Sequence, residues 1–175
     1  MTFADYIKRG WDAAQLKTDS IRQLADDTEA IGPAIGILAI GGVCAGIGSF
    51  SPIGFFVLPF MRVIGAFIFV AITHFLATTF FEGKGKLTSL AVPLFCASLI
   101  TWVAIVPLLG PTFFAGLAGL WMLVVMVVSV EVVYGIDRGK AIAVVAIPVV
   151  VFLVIAMLMV VMGVGIMAAT GAFRT

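Results

Sequence analysis

The chain has 175 residues, of which 63% are hydrophobic and 11% charged, with a formal net charge of +1 and a mean hydropathy of +1.27. An average soluble domain carries about 25% charged residues, so this composition excludes an ordinary water-soluble fold and identifies a membrane protein. A net charge so close to zero also excludes the basic field that gathers nucleic acid.

Phe3, Ile7, Trp11, Ala14, Ile21 and Leu24 recur mostly at helical steps, while Asp5, Lys8, Asp12, Asp19 and Arg22 fall on other faces. The pattern predicts an N-terminal amphipathic helix within residues 1–29, broken at Gly10, that is cytoplasmic or interfacial and either lies in the membrane surface or packs under the bundle. Six acids against four bases through Glu29 weaken the attraction to anionic lipid. The opening MTFADYIKRGWDAAQ lacks the basic start and apolar core of a signal peptide, so the whole chain is expected in the mature protein.

Crossing the hydrocarbon takes about 20 apolar residues per helix. Residues 30–175 supply five such spans, at about 30–48, 55–81, 87–106, 113–134 and 141–167. Asp27 or Thr28 is placed to cap the first, whose Gly32/Gly36 and Gly42/Gly46 pairs are expected to admit a neighbouring helix closely. Pro59 is placed to kink the second, which ends at Phe80-Phe81-Glu82-Gly83-Lys84-Gly85-Lys86. The turn Pro107-Leu108-Leu109-Gly110-Pro111 separates the third from the fourth, and Gly135-Ile136-Asp137-Arg138-Gly139-Lys140 separates the fourth from the fifth, which carries Pro148. The fold class is therefore all-α, a polytopic membrane helical bundle with five transmembrane helices.

Basic residues set the orientation. Four lie in the N-terminal segment, two at Lys84 and Lys86 and two at Arg138 and Lys140, against Arg62 and Arg174 for the other side. The expected placement is a multi-pass plasma-membrane protein with a cytoplasmic N-terminus and an external C-terminus.

The Gly83-Lys84-Gly85-Lys86 loop invites comparison with a nucleotide-binding loop, which needs G-x-x-x-x-G-K-[ST]. Thr78 or Phe80 stands where the first glycine belongs, and Gly85 or Leu87 follows the lysine, so no nucleotide is expected. Gly83, Lys84, Gly85, Lys86, Arg138 and Lys140 are read instead as candidate cytoplasmic contacts for headgroups or a partner.

Three ionisable groups fall within spans, where each is a functional candidate. His74 and Glu131 lie roughly 12 and 9 Å from the basic loops at 1.5 Å per residue, so they form a candidate intramembrane pair, for a proton or cation or for helix packing. Arg62 lies roughly 30 Å from the same side and is expected to snorkel to the opposite surface. No carboxylate cluster, second histidine or Ser/His/Asp set suggests a metal, a cofactor or a catalytic residue. Cys44 and Cys96 read as small buried hydrophobes. Trp121 suits packing, and the methionines at 157, 159 and 162 suggest adaptable packing rather than a copper site.

The acidic junction Ala25-Asp26-Asp27-Thr28-Glu29-Ala30, a Gly-rich span, H-x-x-A-x-x-F-F-E-G-K-G-K from His74 to Lys86, the Pro107-Leu108-Leu109-Gly110 turn, Trp121 and D-R-G-K-A at 137–141 occur in a characteristic order. This order resembles the Yip (Ypt-interacting-protein) domain family, in particular its short prokaryotic members. The resemblance implies a five-span helical protein without enzymatic activity, whose eukaryotic relatives bind small GTPases and shape or organise membranes. Membrane lipids and other membrane proteins, or a second copy, are the expected partners. The alternative reading is a small-solute, ion or proton transporter using His74 and Glu131.

Overall fold

The structure is a computed structural model that describes residues 2–27, 29–107 and 113–169, with side chains up to Met162 except Ala156. The described elements are helical: α1 (Phe3–Ala14), α2 (Thr18–Asp26), α3 (Ile31–Gly48), α4 (Pro52–Phe80), α5 (Leu87–Ala97) continued by a 3₁₀ segment (Ser98–Ile105), α6 (Ala115–Tyr134) and α7 (Arg138–Ala169). Five stretches are long and apolar enough to cross a membrane, namely α3, α4, α5 with its 3₁₀ extension, α6 and α7. Most of the turn around Leu108–Leu109–Gly110–Pro111, and the tail with Arg174, lie outside the described residues.

Local chemistry explains the boundaries. Ser51 accepts from the amide of Gly54 at 2.9 Å, and Pro52 occupies the first turn of α4, where its missing N–H has no helical partner to lose. This starts α4 three residues before the expected Phe55. Asp27 accepts from the amide of Glu29 at 3.0 Å ahead of α3, and Asp137 accepts from the amide of Gly139 at 2.9 Å ahead of α7. Gly135 ends α6 in the left-handed region at φ +65, a conformation glycine adopts without a Cβ penalty. The third span tightens into 3₁₀ geometry where the hydroxyls of Ser98 and Thr101 donate to the carbonyls of Phe95 and Ser98, both at 2.6 Å. Such local hydroxyl bonds compete with the regular backbone pattern.

The third span is the hub. Nearly all of α5 is buried, with α1, α2, α3, α4 and α6 packed around it. The ring of Phe95 meets Phe67 of α4 edge-on at 4.9 Å between centroids. On the outside, Phe56, Phe60 and Ile64 of α4 and Val150 to Val154 of α7 are exposed, the apolar surface that lipid covers. Met157, Met159 and Met162 belong to that surface rather than to the expected internal packing, being 65–70% exposed. The bundle ends before them: α7 packs on α4 and α6 along its first half, as at Val144 and Val145, which are buried.

Close approach of α3 and α4 depends on two of the expected glycines. A Cβ at Gly42 would lie 2.5 Å from Pro59 Cα, and one at Gly46 would lie 2.6 Å from Phe55 Cα. In hydrocarbon, where helices gain little from burying apolar surface against each other, such contact supplies much of the association. Gly32 and Gly36 do not share the role. Nothing lies within 4 Å of a Cβ at Gly32, and Gly36 meets only Phe3 at an ordinary 3.7 Å, because α4 faces the far half of α3.

The largest departure from expectation is the N-terminal segment. It is a helical hairpin, broken not at Gly10 but at Gln15–Lys17, where Leu16 adopts φ 64. It does not lie beneath the bundle. Tyr6 donates its hydroxyl to Asp27 at 3.0 Å near the basic loops, and Gly10 then presses against the carbonyl of Cys96, 2.5 Å from where its Cβ would stand. The carbonyl of Ala14 accepts from the indole of Trp121 at 2.8 Å. Cys96 lies about 14 Å along α5 from Leu87, and Trp121 about 20 Å along α6 from Tyr134. The hairpin therefore rises beside the spans and returns, so that Ala25–Asp27 come back to the basic loops.

Candidate functional site

The basic loops meet on Tyr134, the last residue of α6. His74 of α4 places its Nδ1 2.6 Å from the phenolic oxygen of Tyr134. The loop after α4 turns at Glu82, a non-glycine at φ 56, and the amide of Gly83 donates back to the carbonyl of Ala77 at 2.9 Å. Gly83 and Gly85 then press against the side chain of Tyr134. A Cβ on Gly83 would fall 2.9 Å from Tyr134 Cβ, and one on Gly85 would fall 2.8 Å from Tyr134 Cδ1 and from Val133 Cγ1. The glycines of this loop serve close approach, while the reversal itself falls to Glu82.

This arrangement separates the two members of the expected intramembrane pair. His74 bonds Tyr134, one helical turn beyond Glu131, whereas Glu131 accepts from the Nε of Arg138 at 2.9 Å in a partly exposed ion pair. A carboxylate that reaches an arginine at the solvent edge has no need of a half-buried histidine on another helix. As a neutral side chain, Tyr134 does not stand out in the sequence beside the charged groups of the spans. Its position next to Gly135, at the end of a helix and below a glycine-rich loop, was the available signal.

Holding the loop on Tyr134 places Lys84 and Lys86 over a cavity of about 630 Å³ between α2, the start of α5 and the end of α6. Arg22 and Asp26 of α2 and Asp27 just after it enter from one side and Thr88 and Ser89 of α5 from another, with Val132 and Val133 behind. Of the four expected loop contacts at 83–86, Lys84, Gly85 and Lys86 line this cavity and Gly83 does not. Arg138 is instead engaged by Glu131, and Lys140 is exposed at the start of α7. The cavity offers donors and acceptors of both signs to a headgroup or peptide. Among the described residues, no group of three or more His, Cys, Asp or Glu is placed to hold a metal ion.

The remaining polar feature is the outer face of the hairpin. Lys8, Lys17, Asp19 and Arg22 are exposed there, and Lys17 pairs with Asp12 at 2.5 Å beside the turn. Ile21 and Leu24 are fully buried against the spans, whereas Phe3 and Trp11, expected on the same apolar face, are exposed. At the N-terminus Thr2 and Asp5 form a reciprocal cap, and the bonds from Thr2 hold the Asp5 carboxyl below its usual range.

A family model described as the Yip1 domain matches residues 17–159. No curated protein matches the chain, and no solved structure does.

Proposed function

The chain belongs to the Yip1 domain family, and from that premise we propose that it is a non-enzymatic integral membrane protein that organises other membrane components as a scaffold or accessory subunit. The observation that carries this reading is the polar outer face of the α1–α2 hairpin standing beside the spans. A charged side chain at the centre of the hydrocarbon costs about 2.5–3.5 kcal/mol on the insertion scale. Lipid tails are a poor cover for Lys8, Lys17 and Asp19, and a protein surface with complementary polar groups is a good one.

The cavity under Lys84 and Lys86 supports the same reading from the membrane surface, where it provides a second contact for a headgroup or a partner segment. The bias of basic residues favours a cytoplasmic position for this end, with the N-terminus inside and the C-terminus outside the plasma membrane. Residues 1–29 act in this reading as the contact module and residues 30–175 as its membrane frame. The transport alternative rested on His74 and Glu131 acting together. With each engaged elsewhere, no observation favours it.

Extraction from native membranes in a mild detergent tests the proposal. Wild-type chain is expected in a complex with a second copy or another membrane protein, and Lys17→Leu with Asp19→Leu is expected to release it. A wild-type chain that runs as a monomer without any associated protein contradicts the proposal.

A further inference from the structure

Arg62 does not snorkel to the far surface. It lies about 15 Å along α4 from Pro52 and about 27 Å from Phe80, turned inward between α3 and the 3₁₀ segment. Its Nη2 donates to the hydroxyl of Thr101, and the missing side chain of Gly41 makes room for the guanidinium, whose Cζ would stand 3.1 Å from a Cβ there. Its Nε is enclosed without a partner among the described residues. The chain has no acidic residue between Glu29 and Glu82, and Glu131 is engaged at the basic end. Thr101 gives an acceptor but no charge. A full cation therefore sits at hydrocarbon depth without a counter-charge from the described residues, a situation that intramembrane arginines resolve with an anion or a water-filled cavity.

Beside it runs a cleft of about 300 Å³ between α4, α5 and α6. From Arg62 it follows Ala66, Phe69 and Val70 toward the middle of the membrane, about 12 Å along α4, with Phe95 and Met126 opposite. Apart from Arg62 and Ser98 its walls are hydrocarbon or thioether. A cation at one end of an apolar channel matches an anion that ends an apolar chain.

We infer that this cleft binds a long-chain fatty acid, with its carboxylate on the guanidinium of Arg62 and its chain along Ala66 and Phe69. A carboxylate suits the depth better than a phospholipid, because Gly41, which adjoins the guanidinium, lies about 10 Å along α3 from its far end at Gly48. A glycerophosphate would have to sink below headgroup level with its esters, whereas a fatty acid brings no polar group but the one Arg62 neutralises. Methionine walls adapt to chains of different length and unsaturation.

Binding to the delipidated full chain in detergent, followed by native mass spectrometry with oleate, oleyl alcohol and dioleoyl phosphatidylglycerol as probes, tests this. Oleate is expected to bind wild-type protein about tenfold or more tightly than oleyl alcohol, the difference a charge-assisted contact supplies, and to outcompete the phospholipid. Arg62→Gln is expected to erase the preference for oleate over the alcohol. Ala66→Trp, which leaves Arg62 in place, is expected to weaken both single-chain probes. Equal binding of oleate and oleyl alcohol to wild type, no oleate binding, or tighter binding of the phospholipid overturns the inference. The first comparison needs no variant to fold.

Discussion

The indole N–H of Trp121 donates to the carbonyl oxygen of Ala14 at 2.8 Å, tying the turn of the N-terminal hairpin to the middle of the fourth span. Ala14 and Trp121 are separated by most of the chain, and their contact makes the hairpin part of the bundle. Gly10 on Cys96 and Tyr6 on Asp27 extend that attachment to the basic loops.

The hairpin should therefore be sensitive to volume at Gly10. Gly10→Ala places a methyl group 2.5 Å from the Cys96 carbonyl oxygen, and overpacking of this kind costs about 1–3 kcal/mol. Thermal unfolding in detergent should show a lower midpoint. Gly32→Ala, with nothing within 4 Å, should leave the midpoint unchanged or raise it, since alanine favours a helix by up to about 1 kcal/mol.

Tyr6 makes hairpin docking sensitive to high pH, which weakens it. Burial, then the hydrogen bond and charge of Asp27, raise its phenol above the ordinary 10.0. The folded state thus prefers the neutral phenol. Its stabilisation is complete below pH 10 and is lost as pH rises through the higher folded value. Spin labels at Thr18→Cys and Leu120→Cys, in a chain freed of Cys44 and Cys96, should give a short, narrow distance at pH 8 that broadens above pH 10. Tyr6→Phe should remove the pH step.

The loop at 83–86 should depend on the ring of Tyr134 more than on its hydroxyl. Tyr134→Phe removes one hydrogen bond to His74 and should cost about 1 kcal/mol. Gly85→Ala, which meets Tyr134 and Val133 at 2.8 Å, should cost about 1–3 kcal/mol. Combined with Tyr134→Ala, Gly85→Ala should cost less than it does alone, because the clash loses its main partner. Equal costs in both backgrounds would mean that the loop does not rest on the ring.

Glu131→Gln should be nearly silent. Its partner Arg138 is 68% exposed, and exposed pairs contribute about 0–1 kcal/mol. A loss of several kcal/mol in thermal or denaturant unfolding would place Glu131 in a buried network instead.

The five spans were legible in the sequence to within a few residues because length and apolarity alone define them. Cys44 and Cys96 are buried as their surroundings suggested, and Gly42 and Gly46 meet α4 as small residues in a span should. What one sequence does not carry is which faces meet. The period of Ile7, Ala14 and Ile21 identifies an apolar face but not that the surface it covers is α5, so the segment was expected in the interface or beneath the bundle. Helix rise put His74 and Glu131 at similar depth, but the neutral side chain of Tyr134 and the guanidinium of Arg138 decided their partners. For Arg62, depth suggested an outward reach, whereas the space left by Gly41 turns it inward.

The central claim is that protein covers the polar face of the hairpin beside the spans. The most direct measurement is photocross-linking in native membranes from a benzoylphenylalanine at position 19, with mass spectrometry of the adducts. The account predicts adducts heavier by a polypeptide, either a second 18.4 kDa chain or another membrane protein, and their loss with Gly10→Ala. Adducts with lipid alone, or no adduct at all, would contradict it.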